Sequence, residues 1–187
     1  MTVVYWIRHA QSDHFNKDEQ TRGLSLQGMA DVAAVTAFLD DKAVDAAFSS
    51  PYQRAIDTIA DFAQKRGIPI QTADGFREWH RQKDPSASFE ELCRRHWADL
   101  DYRYANGESL REVQRRNIEE LEKVLIAYAG KNVIIGTHGM ALSTIIRYYD
   151  PSFGYADFAR LLPIMPLVVK MTFDGSRYLH SDQIEIV

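Results

Sequence analysis

Short, mostly apolar runs alternate along this chain with segments of helical spacing, and this alternation limits the possible fold more than any other feature. Residues 3–7, 44–48 and 133–136 form such runs. The first run is apolar at every position, which is typical of a strand covered on both faces. Parallel strands need long crossover connections, usually helices, and these helices cover the two faces of the sheet. The pattern therefore predicts an α/β fold of three layers, with a mostly parallel sheet between helices.

The helical segments carry start and stop signals. Ser109 and Glu112 form an S-x-x-E capping box, which is typical of the first turn of a helix. Gly67 is typical of a helix end, and a strand is expected to follow from Ile70. Apolar residues spaced three or four apart predict helices over 29–39, 56–62, 110–125 and 140–147.

Two segments depart from the alternation. Residues 74–108 are rich in Arg, Trp, Asp and Phe, and we interpret them as a partly helical, cap-like insertion over a cleft. Residues 167–173 and the chain from Tyr178 flank an Asp-Gly turn, which predicts a hairpin and hence an antiparallel edge to the sheet. The sequence has no repeat or linker, and its length suits one core, so residues 1–187 are interpreted as a single domain.

Charge and cysteine content argue against several classes of function. The formal net charge of -4 provides no general attraction to nucleic acid or to an anionic membrane. Cys93 is the only cysteine, so an internal disulfide is impossible, and we interpret its thiol as structural. The N-terminal run lacks the features of a signal peptide, and no apolar run has the length of a membrane span. The chain is therefore expected to be cytoplasmic, without a nucleic-acid or membrane partner.

Basic side chains follow three of the predicted strands. Arg8 and His9 end the first run, Arg54 follows the second, and His138 follows the third. In an α/β sheet, ligands bind beyond the carboxyl ends of the strands, so these groups are expected to meet in one pocket. Two arginines and two histidines in one place suit a phosphate, and an acidic protein needs such a local cluster to bind an anion.

Five short motifs, in this order, resemble those of the phosphoglycerate-mutase-like histidine phosphatases. Each motif lies at a predicted strand end or helix start, and the similarity extends over nearly the whole chain. The resemblance implies the phosphoglycerate-mutase-like form of the predicted fold. The motifs are Arg8-His9-Ala10 with Gln11-Ser12, Ser50-Pro51-x-x-Arg54-Ala55, Phe76-Arg77-Glu78-Trp79, Gly107-Glu108-Ser109 and Thr137-His138-Gly139.

The resemblance implies a role for each main residue of the site. His9 is the expected nucleophile, and the nearby guanidinium groups should keep its imidazole neutral. Arg8 and Arg54 are expected to hold the phosphoryl oxygens in bidentate fashion, while His138 donates to the charge of the transition state. Glu78 is expected to give a proton to the leaving group and later to activate water.

Two further residues are expected from the resemblance to contact the phosphate. Ser12 belongs to a Gln-Ser pair that stands where relatives often have Glu-Thr, and Asn16 lies one residue further from the nucleophile than in the commonest pattern. The identity of the proton donor stays open at this point, because Asp74, Glu90 and Glu91 belong to the same insertion.

These features predict a phosphomonoester hydrolase of the histidine acid phosphatase type, acting on a small phosphorylated substrate through a phosphohistidine. A mutase uses the same intermediate but generally has a longer insertion that excludes water, and a catalytically silent phospho-ligand or protein-binding module is a further alternative. No cofactor is predicted, because a Gly-x-Gly-x-x-Gly turn is missing. No metal is predicted, because His14 and Asp13 lack a third ligand. The apolar stretch 158–167 suits a homodimer interface.

Overall fold

The computed structural model describes residues 1–186 and places six strands in one mixed sheet. The strands are β1 (Thr2–Arg8), β2 (Ala46–Ser49), β3 (Ile70–Thr72), β4 (Asn132–Thr137), β5 (Leu167–Asp174) and β6 (Arg177–Glu185). Their order across the sheet is β3-β2-β4-β1-β5-β6. The first four strands are parallel to one another, and β5 and β6 are antiparallel. The predicted parallel sheet with an antiparallel edge is therefore confirmed.

Helices connect the parallel strands. The described residues form α1 (Leu26–Leu39), α2 (Gln53–Arg66), α3 (Phe89–Ala98), α4 (Leu110–Ala127), α5 (Gly139–Tyr149) and α6 (Tyr155–Leu161), with a 3-10 turn at Asp74–Phe76. The predicted capping box begins α4: Ser109 Oγ accepts from Glu112 N at 3.2 Å, and Ser109 N donates to Glu112 Oε2 at 2.9 Å. Gly67 ends α2 in the left-handed conformation, with φ of 65°.

The alternation of side chains along β1 explains the three layers. Val4 and Trp6 point to one face of the sheet, where they pack in a cluster with side chains of α4 and α5. Tyr5 and Ile7 point to the other face and pack with side chains of α1 and α2. All four are buried. A strand that is apolar at every position is therefore stable here because helices cover both of its faces.

The sheet register brings the predicted site residues to one edge. Arg8 at the end of β1 pairs with Thr137 at the end of β4, so His9 and His138 leave the sheet side by side. The last residue of β2 also pairs with β4 near this end, so Ser50 leaves the sheet in the same place. Residues more than a hundred positions apart in the chain thus meet because their strands are parallel neighbours.

Several element boundaries differ from the predictions by one to four residues, and at two of them a polar side chain accounts for the difference. The second strand begins two residues later than predicted, since the Asp45 carboxylate accepts from Asn132 N at 2.8 Å and stands outside the strand ladder. The first helix begins three residues earlier, since Ser25 Oγ accepts from Gly28 N at 3.1 Å and caps it.

The insertion 74–108 is partly helical, as predicted, and is anchored by aromatic side chains. Trp79, His96 and Tyr102 pack together, with His96 between the other two rings at centroid distances of 4.6 and 4.7 Å. Trp79 Nε1 also donates to the Glu108 carbonyl oxygen at 2.8 Å. Because these rings face the body of the protein, the backbone of the insertion is fixed against it.

The apolar stretch 158–167, expected to suit a homodimer interface, lies mostly inside the chain. Phe158, Leu161 and Leu167 are all buried. Phe158 packs against Trp97 of α3, with ring centroids 5.8 Å apart. The stretch therefore offers little apolar surface to a partner, and formation of a homodimer stays a prediction.

The sequence predicts that the Cys93 thiol is structural and that no segment spans a membrane. Cys93 is buried, and its burial raises the pKa of the thiol to about 12, so the thiolate required for reactivity is scarce. Among residues 1–186, every helix is too short or too polar to span a lipid bilayer.

Candidate active site

The carboxyl ends of the parallel strands open into a cavity of about 590 Å³. Arg8, His9, Arg54 and Glu78 all line it. His138 is fully buried behind this wall, and its ring centroid lies 5.2 Å from that of His9. The structure therefore gathers the five main residues of the predicted site around one space.

Two hydrogen bonds orient the His9 imidazole. Nδ1 donates to the Ala10 carbonyl oxygen at 2.7 Å, and Nε2 accepts from Arg54 Nε at 3.3 Å. Burial, and then the Arg54 guanidinium, hold the pKa of His9 well below its usual range. The ring is therefore neutral at pH 7, with its proton on Nδ1 and a lone pair on Nε2, which is the form that a nucleophile needs.

Ser50 orients the second imidazole. His138 Nε2 lies 2.7 Å from Ser50 Oγ, while His138 Nδ1 is buried without a partner among residues 1–186. The tautomer decides the roles in this pair: when the serine hydroxyl donates to Nε2, the imidazole proton lies on Nδ1 and is free to donate. Burial and the charge of Arg54 hold the pKa of His138 well below its usual range, so this donor is neutral. Ser50 belongs to a motif of the sequence, but its pairing with His138 emerges only from the fold.

The outward edge of Arg54 is occupied by Glu19. Arg54 is 2% exposed. Its two terminal nitrogens donate to Glu19, one to the carbonyl oxygen at 2.7 Å and one to carboxylate Oε2 at 3.1 Å. The same Oε2 accepts from Arg22 at 2.9 Å. A carboxylate thus lies where the resemblance places phosphoryl oxygens, and a phosphate must displace it. Neither Glu19 nor Arg22 was identified from the sequence, which carries no motif around them.

Arg8 does not have the bidentate arrangement expected for it. One terminal nitrogen donates to the Leu161 and Ile164 carbonyl oxygens at 2.7 and 2.9 Å, and the other donates to the Leu162 carbonyl oxygen at 2.9 Å. The cause is the carboxyl end of α6, whose free carbonyls bind the guanidinium. Burial lowers the pKa of Arg8 to about 10. Arg8 Nε has no partner within residues 1–186, so this group is the one that remains for an oxyanion.

The Glu78 carboxylate is held at the amino end of α5. Oε1 accepts from Trp79 N at 2.8 Å and from Ala141 N at 3.0 Å, and Oε2 accepts from Met140 N at 3.1 Å. These amides at the start of α5 lack partners within the helix, and the helix dipole also favours a carboxylate there. Glu78 is thereby placed in the cavity, at the start of the helix that His138 precedes.

The competing carboxylates lie elsewhere. Asp74 pairs with Arg77 at 3.8 Å, and its side chain is 80% exposed. Glu90 and Glu91 each bind an arginine one helical turn further along α3, in exposed pairs. None of the three lines the cavity. Of the carboxylates considered from the sequence, Glu78 is therefore the one positioned to reach a bound phosphomonoester.

The structure separates the two residues expected to add phosphate contacts. Ser12 is buried and lines the cavity. Asn16 does not line it, and its amide is used within the loop, accepting from Asp18 N at 2.9 Å and donating to Thr21 Oγ1 at 3.3 Å. The expected phosphate contact of Asn16 is therefore not present. The extra residue before it lets the side chain close a turn of the loop instead.

An ion pair outside the cavity fixes the backbone on which Glu78 stands. Arg116 of α4 donates to the carbonyl oxygens of Gly75, Arg77 and Glu78, at 2.9, 2.6 and 3.1 Å. It also binds both carboxylate oxygens of Glu108, at 2.9 and 3.0 Å. This gives a function to the Gly-Glu-Ser motif of the sequence, whereas Arg116 itself could not be identified without the fold.

We expect Arg116→Ala to lower the free energy of unfolding by about 3 kcal/mol, because the half-buried Glu108 carboxylate keeps only Arg77 and His80 N as donors and three carbonyls lose the guanidinium. Urea titration measures this change. Arg115→Ala is the control, since its pair with Glu119 is exposed and 4.0 Å long, and we expect less than about 0.5 kcal/mol from it. Equal effects from the two variants would show that the Arg116 network does not stabilise the segment.

We also expect the stability of the protein to fall as the pH drops below about 6.5. His9 and His138 stay neutral in the folded state because their pKa values are well below the usual range, while both imidazoles take up protons in the unfolded chain. Protons then favour unfolding, by up to about 1.4 kcal/mol per pH unit for each group. Urea midpoints at pH 7.5 and 5.5 measure the effect. The double variant His9→Asn, His138→Asn should lose most of it, and an unchanged slope in that variant contradicts the assignment.

Comparison with known proteins finds one matching family and several relatives. The family model described as histidine phosphatase superfamily (branch 1) matches residues 4–174. A Bacillus subtilis protein named uncharacterized phosphatase PhoE is 28% identical over 151 residues, which are 78% of this chain and 76% of that protein. The 2,3-bisphosphoglycerate-dependent phosphoglycerate mutase 2 of Gloeobacter violaceus is 26% identical over 168 residues, with coverage of 80% and 76%.

A solved structure shows the same fold. The mycobacterial glucosyl-3-phosphoglycerate phosphatase in complex with VO3 superposes with a TM-score of 0.77 and covers 99% of both chains, at 17% sequence identity. The phosphoglycerate-mutase-like fold expected from the motifs is therefore confirmed. Relatives by sequence include a phosphatase and a mutase, so their shared chemistry is the transfer of a phosphoryl group.

Proposed function

Because the chain belongs to branch 1 of the histidine phosphatase superfamily, we propose that it is a phosphomonoester hydrolase that forms a phosphohistidine on His9. One observation carries the proposal: the neutral His9 imidazole lies at the wall of an arginine-lined cavity, with Nδ1 bonded to the Ala10 carbonyl oxygen, Nε2 bonded to Arg54 Nε, and the His138 ring 5.2 Å away. A nucleophile, an oxyanion donor and cationic clamps in one space are what phosphoryl transfer requires.

In the first step His9 Nε2 attacks phosphorus and the ester P–O bond breaks. The leaving oxygen takes a proton from the Glu78 carboxyl group, which converts an alkoxide into an alcohol. The charge on the three equatorial oxygens is stabilised by Arg54, by His138 Nδ1–H and by Arg8 Nε. His9 Nδ1–H keeps its bond to the Ala10 carbonyl oxygen, which supports the positive charge that develops on the ring.

In the second step water attacks the phosphohistidine. Glu78, now a carboxylate, takes one proton from this water, and the P–N bond breaks. Inorganic phosphate leaves, and His9 returns to its neutral form. Glu19 can then bind Arg54 and Arg22, as it does in the structure.

The alternative function is that of a mutase, which transfers the phosphoryl group to a second hydroxyl of the substrate. The similarity to a phosphoglycerate mutase is the reason to test it. The difference lies in the acceptor of the second step. In the proposed hydrolase that acceptor is water, in keeping with the short insertion 74–108.

A direct test mixes the protein with 4-nitrophenyl phosphate, without any bisphosphate. We expect steady release of inorganic phosphate together with nitrophenol. A mutase instead interconverts 2- and 3-phosphoglycerate only after priming by a bisphosphate and releases little phosphate. A silent binding module does neither, and that result would falsify the proposed activity.

A further inference from the structure

The cavity contains cationic side chains that the proposed reaction does not use. Arg81 and Lys83 enter it from the insertion, and Lys17 enters it from the loop after β1. At about 590 Å³ the cavity is also much larger than a phosphoryl group, and its size is typical of sites for whole small molecules. The leaving group of the substrate must therefore lie against this second, outer set of cations.

These three cations are unpaired, whereas most others in the protein are not. In residues 1–186, no carboxylate lies within 4.0 Å of Lys17, Arg81 or Lys83. Lys17 Nζ donates to a carbonyl oxygen, that of His14, at 2.5 Å. The Arg81 guanidinium lies over the Phe89 ring, 4.8 Å from its centroid. An acidic protein that leaves three cations without partners in one cavity has an anion-binding surface there.

The carboxylates near these cations are bound to other groups. Glu19 binds Arg54 and Arg22, and Glu78 accepts from the amides of α5. Asp84, beside the outer end of the cavity, accepts from the Ser86 backbone and hydroxyl at 2.8 and 2.6 Å and pairs with an arginine of α3. Two carboxylates, those of Glu19 and Glu78, line the cavity against six cationic side chains, so the cavity is positively charged. The cations are Arg8, Lys17, Arg22, Arg54, Arg81 and Lys83.

The backbone that carries Arg81 is fixed. His80 N donates to Glu108 Oε2 at 2.9 Å, and Glu108 N donates to the His80 carbonyl oxygen at 2.8 Å. A Cβ atom at Gly107 would lie 3.1 Å from both Gln82 N and the His80 carbonyl oxygen, so glycine permits this close contact. Because Arg81 starts from a rigid segment and its guanidinium stacks on Phe89, little entropy is lost when it binds an anion.

The position of Arg81 also sets the size of the substrate. It stands three residues beyond Glu78, a span of at most about 10 Å in extended chain. Glu78 is the group that serves the leaving oxygen in the proposed reaction. Both side chains can therefore contact one small molecule, in which the group bound by Arg81 is part of the leaving group.

On these grounds we propose that the substrate is a small phosphomonoester with a second anionic group, either a carboxylate or another phosphate, and that Arg81, Lys83 and Lys17 bind that group. This inference rests on the proposed function for its orientation, since the phosphoryl group that is transferred must lie at His9. The cationic side chains of the insertion then help to select the substrate by its charge.

Matched substrates test the inference. 3-Phosphoglycerate and glycerol 3-phosphate share a three-carbon skeleton and a phosphate ester, and they differ in a carboxylate against a hydroxymethyl group. We expect kcat/KM to be about tenfold or more higher for 3-phosphoglycerate, which is the value of one or two hydrogen bonds between charged groups. A second pair, fructose 1,6-bisphosphate and fructose 6-phosphate, measures the effect of a second phosphate on kcat/KM in the same way. The pair with the larger ratio identifies which anion the subsite prefers.

Variants assign the effect to these side chains. In the double variant Arg81→Gln, Lys83→Gln we expect the ratio within each pair to fall about tenfold, toward one. Arg94→Gln removes an exposed charge of α3 that does not line the cavity, and its ratio should equal that of the wild type. A wild-type ratio near one in both pairs, or a ratio that the double variant does not change, overturns the inference.

Binding separates this inference from the proposed function. Calorimetry with the His9→Ala variant, which has no nucleophile, measures the affinity of the same compounds without turnover. Tighter binding of 3-phosphoglycerate or the bisphosphate that depends on Arg81 and Lys83 supports the subsite, even if the wild-type protein hydrolyses nothing. Equal affinities in each pair, together with release of phosphate from 4-nitrophenyl phosphate by the wild type, overturn the subsite and leave the hydrolase intact.

Discussion

Replacement of His9 by alanine is expected to lower the turnover of any phosphomonoester by about 10⁴-fold or more, because it removes the imidazole that forms the covalent intermediate in the proposed reaction. Arg54 and His138 remain in this variant and still bind phosphate. The loss should therefore lie in kcat, with a smaller change in the affinity for inorganic phosphate.

The intermediate itself provides the sharper measurement. With a ³²P-labelled aryl phosphate and a rapid quench in alkali, wild-type protein should carry a label that is stable to alkali and lost in acid, as expected for a P–N bond. The His9→Ala variant should carry none. His180→Ala removes an exposed imidazole of β6, and this control should label like the wild type. A label of the same stability on the His9→Ala variant would place the nucleophile elsewhere.

The arrangement of strands and the meeting of His9 with His138 could be predicted from the sequence because both follow from simple physical patterns. A run that is apolar at every position must be covered on two faces, and parallel neighbouring strands end at one edge. These rules concern the backbone and need no knowledge of side-chain partners. For this reason the fold and the grouping of the main site residues were predicted together.

The partners of individual polar groups could not be predicted in this way. Arg8 binds carbonyls at the end of α6, a short helix that the spacing of apolar residues did not reveal. Asn16 uses its amide within its own loop. Glu19 binds Arg54 from a loop whose sequence contains no recognisable motif. Each outcome depends on which of several nearby donors or acceptors lies closest after folding, and that choice depends on tertiary distances of an ångström or two.

Replacement of Glu78 by glutamine should slow the hydrolysis of alkyl phosphates by about 10²–10⁴-fold, which is typical for the loss of a general acid or base. The glutamine carbonyl oxygen can replace Oε1 and accept from Trp79 N and Ala141 N, so the fold should persist although Met140 N loses its acceptor. The control set is Asp74→Asn, Glu90→Gln and Glu91→Gln, whose carboxylates do not line the cavity. These variants should retain wild-type rates.

The choice of leaving group separates the two proposed roles of Glu78, which are protonation of the leaving oxygen and activation of water. An alkoxide must be protonated as it leaves, but nitrophenolate leaves without a proton, so the first step with 4-nitrophenyl phosphate should stay fast in Glu78→Gln. The second step still lacks the group that activates water. The variant should therefore release about one equivalent of nitrophenol in a burst, then turn over slowly while the phosphohistidine accumulates. If alkyl and aryl phosphates slow equally and no burst appears, Glu78 only supports the amino end of α5, and another group moves the protons.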